Sequence, residues 1–76
     1  LSNDDVFLTE KLKIDKLIKG GYIIISTHGT LDGDIVEFEN KVKNPKRETM
    51  LLTHPDSRKY FTTLYIQQQQ KREAAF

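Results

Sequence analysis

Four cations fall within seven residues in the run Lys41-Val42-Lys43-Asn44-Pro45-Lys46-Arg47, which contains no acid. Lysine and arginine packed at this density suit the phosphates of a nucleic acid, where each cation releases a condensed counterion. Further along, Tyr60, Phe61 and Tyr65 offer π faces on which bases stack when such rings lie open on a sheet. Lys41, Lys43, Lys46 and Arg47 are therefore the candidate phosphate contacts, and Tyr60, Phe61 and Tyr65 the candidate stacking surface. Each half has a plainer use as well. A cationic loop keeps a turn polar and soluble, and a small chain needs most of its aromatic rings inside.

The two histidines suggest a second chemistry. His28 and His54 each precede a turn signal, with Asp32, Asp34 and Asp56 close by in sequence. On a meander these five residues gather at one rim, and histidine with aspartate suits a divalent transition metal. The first and third strands of a flat sheet are about 10 Å apart, however, too far for two imidazoles to share one ion. No metal and no cofactor is expected. Acid–base catalysis needs a perturbed pair inside a pocket, and a chain of 76 residues has little volume to enclose one. Gly29-Thr30-Leu31-Asp32-Gly33 lacks the lysine and glycine spacing of a phosphate loop, and Ser26 and Ser57 lack a nucleophile signature. The chain reads as a binding protein and not an enzyme.

Charge is divided along the chain. Residues 1–40 hold four cations and eight acids, a balance of −4, whereas residues 41–76 hold eight cations and three acids, a balance of +5, and the two nearly cancel to +1. The basic half fits an anionic partner, and the acidic half fits a cationic one. With no cysteine, there is no disulfide framework and no thiolate chemistry. The longest apolar run, Tyr22 to Ile25, is far short of a membrane span. A soluble, cytoplasmic protein is the expectation. A chain that begins Leu1-Ser2-Asn3 without methionine also reads as a processed product or a piece of a longer protein.

These residues must be positioned by elements that the local pattern suggests. Ser2-Asn3-Asp4-Asp5 supplies capping side chains and acids for a helix start. Ile14, Leu17 and Ile18 have helical spacing, Leu8 and Leu12 lie off that stripe, and Gly20-Gly21 forms a stop. A helix is predicted over about 9–19, beginning there or at the earlier cap. Tyr22 to Thr27 reads as a central strand buried on both faces. Both Gly29 and Gly33 are available for positive φ in the following turn. Ile35 to Val42 alternates, with Val36, Phe38 and Val42 on one face, and Glu48 to His54 resumes an extended run. Lys59 to Ile66 is dense in aromatics and threonine and is predicted as a fourth strand, the helical alternative being a start at Asp56. Residues 67–76 read as a frayed or helical tail.

The implied architecture is α+β in a single small domain of residues 1–76: an N-terminal helix with a four-stranded antiparallel meander or a small SH3-like half-barrel. The functional expectation is a small regulatory module that binds nucleic acid through the basic loop and the sheet aromatics. The alternative is a protein–protein adaptor or inhibitor acting through an apolar edge strand or through the acidic face at Glu37 and Glu39. The presumed last strand, 59–66, has an unprotected edge and predicts homodimerisation. No membrane partner is expected.

Overall fold

The computed structural model describes residues 3–42 and 47–74. Within them the chain forms α1 (Asn3–Lys19), β1 (Ile23–Thr30), β2 (Gly33–Glu39), β3 (Arg47–Leu52) and α2 (Pro55–Ala74). The strands make one antiparallel sheet in the order β1-β2-β3. The α+β class holds, but among the described residues the sheet has three strands and not the four of the expected meander or half-barrel. Among the described residues no helix is long and apolar enough to cross a membrane.

Both helices cover one face of the sheet. Ile24, Val36, Phe38 and Leu52 point from the strands into the core, where Ile14 of α1 and Phe61 of α2 meet them. Of the predicted stripe, Ile14 is buried and Leu17 packs against the core, whereas Ile18 is exposed, as are Leu8 and Leu12 off the stripe. The other face of the sheet is open, as antiparallel sheets allow. It follows that β1 is an edge strand and not a doubly buried central one: Ile24 is buried while Ile23 is exposed. The strand also carries a bulge between Ile24 and Ser26. The central strand is β2, which ends at Glu39. Val42, expected on its inner face, lies beyond it and is exposed.

The largest difference from the sequence pattern is the segment 59–66. It belongs to α2, so this segment is not the predicted fourth strand and presents no strand edge for homodimerisation. Pro55 takes the first helical position, where its missing N–H has no intrahelical partner to lose. The carbonyl of His54 accepts the first helical bond from the Arg58 N–H at 3.2 Å, and its Nδ1 accepts the Asp56 N–H at 3.0 Å. Phe61, Leu64 and Tyr65 then fall on one stripe against the core. Gln67 to Ala74 continues the same helix, the helical of the two readings for this segment.

The start of α2 is also held from outside. The carboxylate of Glu10, a mostly buried side chain of α1, accepts the Thr53 N–H and the Thr53 hydroxyl, each at 2.9 Å, and the His54 N–H at 3.2 Å. Burial pushes this carboxyl's pKa up, but the bonds to the charged form outweigh burial and hold it below its ordinary value, with a contribution from the buried Ser57 hydroxyl. Phe7 of α1 stacks at a tilt beside His54, 5.7 Å between centroids. The two helices thus run in the same direction, with Glu10 beside the start of α2 and Asp15 beside Tyr60 one turn later.

Two glycines have conformations that matter. Gly21, at φ +94°, ends α1 in a Schellman cap, its N–H bonded to the Ile18 carbonyl at 3.1 Å and the Tyr22 N–H to the Leu17 carbonyl at 3.0 Å. Gly33, at φ +148°, opens β2 with its backbone against β3, and a Cβ there would lie 2.3 Å from the Leu52 carbonyl oxygen. Gly29 does not take positive φ.

Gly33→Ala is therefore expected to destabilise the fold by about 2–3 kcal/mol, measured by urea unfolding. Glu10→Gln removes the charged acceptor and is expected to cost about 2 kcal/mol at neutral pH. Because the folded pKa of Glu10 lies below its unfolded value, its contribution is present above the unfolded pKa and is lost as pH falls through the folded one. The gap between wild type and Glu10→Gln should accordingly narrow in acid, read from paired unfolding curves at neutral and low pH.

Candidate functional site

The cationic run leaves β2 and enters β3. Lys41 is exposed at the end of β2; Lys43 and Lys46 lie outside the described residues; Arg47 is exposed at the start of β3, its Nε 3.4 Å from the Glu39 carboxylate on the neighbouring strand. Asn40 ties this connection to the end of α1. Its side chain is buried, its Nδ2 donates to the Gly20 carbonyl at 3.0 Å, and its Oδ1 accepts the Val42 N–H at 2.9 Å.

That tie determines which other charges are neighbours. Lys16 and Lys19 occupy the last turn of α1, just before Gly20, and both are exposed. Since α2 runs alongside α1, its far end reaches the same region, where exposed Lys71 borders a hollow with Ile18, Tyr22 and Ile23. Lys16, Lys19, Lys41, Arg47 and Lys71 thus lie at one end of the molecule, with Glu39 and Glu48 beside them. The opposite end holds Asp5 of α1, Asp32 and Asp34 of the β1–β2 hairpin, and Asp56 of α2, with Arg58 and Lys59 among them. Sequence reading missed Lys16, Lys19 and Lys71. A last-turn position just before Gly20-Gly21 was the available signal for the first two, since cations there also favour the helix dipole.

The three aromatic residues are not on a sheet. Phe61 is 2% exposed and meets Phe38 edge-on at 6.0 Å, and Tyr65 packs 5.9 Å from Phe61. Tyr60 lies between the helices, where its hydroxyl donates to Asp15 and Lys11 sits 4.9 Å above its ring. Phe61 offers no face to a ligand, and Tyr60 and Tyr65 serve the packing of α2. These rings stand on a helix whose apolar stripe is turned inward, and not on an open sheet face.

The Tyr60 cluster has a definite charge logic. The hydrogen bond from Tyr60 lowers the Asp15 pKa, burial opposes it, and Lys11, bonded to Asp15 at 2.9 Å, lowers it further. In turn the bond to Asp15 raises the Tyr60 pKa, helped by burial and by repulsion between phenolate and carboxylate. The bond to Asp15 likewise raises the Lys11 pKa.

His28 lies on the open face opposite Ile35, and His54 caps α2. Among the described residues no three metal-ligating side chains come together. Glu37 and Glu39, the proposed acidic face, are both on the open side of the sheet. Glu37 accepts the Ser26 hydroxyl at 2.9 Å, and Glu39 faces Arg47.

Tyr60→Phe is expected to lower stability by about 1 kcal/mol and to remove the tyrosine that ionises at raised pH, which an alkaline ultraviolet titration reads directly. Compared with known proteins, the chain matches no family model, no curated protein and no solved structure.

Proposed function

We propose that the protein is a non-catalytic module that binds the phosphate backbone of nucleic acid through its basic end. One observation carries this reading: cations distant in sequence, on α1, on the β2–β3 connection and on α2, converge at one end of the fold while the aspartates at the starts of α1 and α2 and in the hairpin lie at the other. Opposite poles of this kind orient an approaching polyanion and keep it off the acidic end. Lys41, Lys43, Lys46 and Arg47 act together with Lys16, Lys19 and Lys71.

The adaptor reading has its own support. The outer edge of β3 is open and runs beside α1, with a groove of about 490 Å³ lined by Val6, Thr9, Lys13 and Met50 among others. An extended segment of a partner protein adds to such an edge through main-chain hydrogen bonds. The backbone groups of Ile24 in β1 are bonded to Gln68, so they point away from β2. Alternation across the sheet then turns those of Thr49 and Leu51 outward from β3.

Fluorescence anisotropy with labelled single-stranded and duplex oligonucleotides across a salt series separates the two readings. Phosphate binding is expected to weaken linearly in log–log form with added salt, by roughly 0.7–0.9 in slope for each contact. Replacing Lys16 and Lys19 together with alanine should weaken binding several-fold and reduce the slope by about 1–2, whereas Lys59→Ala at the other end should leave both unchanged. Absence of binding at low salt, or equal loss in the Lys59 variant, overturns the proposal. A protein partner bound at β3 would instead be insensitive to salt and lost on Thr49→Pro.

A further inference from the structure

Tyr22 stands where the basic end meets an apolar hollow, and its position is set by backbone as well as by packing. The Schellman cap at Gly21 fixes its N–H on the Leu17 carbonyl at 3.0 Å, so the residue leaves α1 in one direction. The other wall of the hollow is α2, which is fastened to β1 by Gln68: its Oε1 accepts the Ile24 N–H at 2.9 Å and its Nε2 donates to the Ile24 carbonyl at 2.8 Å. Between these two fastenings lies a space of about 400 Å³. Ile18, Tyr22 and Leu64 supply its apolar surface, Ile23 borders it at the start of β1, and Gln67 and Lys71 stand on the α2 side.

Several features mark this hollow as more than a packing fault. Ile18 is 37% exposed, so apolar surface is left open to solvent beside a half-buried tyrosine ring. Lys71 lines the hollow itself, and Lys19 lies in the turn of α1 that precedes Tyr22. Gln68 is engaged by the β1 backbone, whereas Gln67, one residue earlier, is exposed. An apolar floor, an aromatic ring, an amide and a cation are the components with which single-strand binders hold a base while tracking its phosphates.

We infer that this hollow receives an unpaired nucleobase, against Tyr22 and between Ile18 and Leu64, with Lys71 on the adjoining phosphate. The inference rests on the nucleic-acid reading above and narrows it to single strands, because a base inside a duplex is not free to enter. The amide of Gln67 is placed to meet a base edge, and the apolar surface accepts any base, so binding is tolerant of sequence. The aromatic contribution expected from Tyr60, Phe61 and Tyr65 thus passes to Tyr22.

The test compares a thymidine single strand with an abasic strand of the same length and phosphate number, each titrated into the full chain at low salt. The intact strand is expected to bind roughly tenfold more tightly, the scale of one base–aromatic stack. Tyr22→Leu should bring the intact strand down to the abasic level while leaving abasic binding unchanged. As a check that does not depend on the variant's stability, NMR shifts at Ile18, Tyr22, Ile23 and Leu64 should follow the intact strand and not the abasic one. Equal binding of both strands overturns the base-binding inference and leaves phosphate binding standing; binding of neither strand removes both.

Discussion

The carboxylate of Glu10 is the point on which the arrangement turns. Burying a carboxylate is unfavourable unless its oxygens are satisfied, and here they are satisfied by the backbone that leaves β3 and enters α2. Because Glu10 and Ile14 are one turn apart on α1, the group that fixes the start of α2 sits beside the side chain that fills the core under the sheet. A single helix face therefore sets both where α2 begins and what it packs on. Phe61 follows on the next turns of α2 and closes the core against Phe38.

Two helices that run in the same direction give the fold its polarity. Their N-terminal turns carry Asp5 and Asp56, and their C-terminal turns carry Lys16, Lys19 and Lys71, each sign favourable to the helix dipole at that end. The same placement that stabilises each helix separates charge across the molecule. The Asn40 bond to Gly20 then holds the chain leaving β2 at the basic end, so that local helix stability and the gathering of cations there have one origin. The fastening of β1 by Gln68 has a similar double effect. It covers backbone groups on an edge strand, which would otherwise invite pairing with another chain, and it completes the hollow beside Tyr22.

What the sequence determined by itself was whatever depends on near neighbours. The apolar stripe of Ile14 and Leu17, the stop at Gly20-Gly21, the alternation of Val36 and Phe38 and the extended run before His54 are set by spacing and by glycine's access to positive φ, and each recurs in the structure. The charge division was equally legible. The fate of residues 59–66 was not, because threonine and aromatic residues suit a strand and a helix alike, and the choice fell to Glu10, forty-odd positions earlier, which secures the backbone at Thr53 and His54. Nor could spacing show that Tyr22 would line a hollow with Lys71 while Tyr60 is tied to Asp15 between the helices, or that a glutamine in a polar run would bond to a strand edge. Those outcomes depend on which surfaces the helices turn toward the sheet, and that is decided when the one core available to the chain is filled.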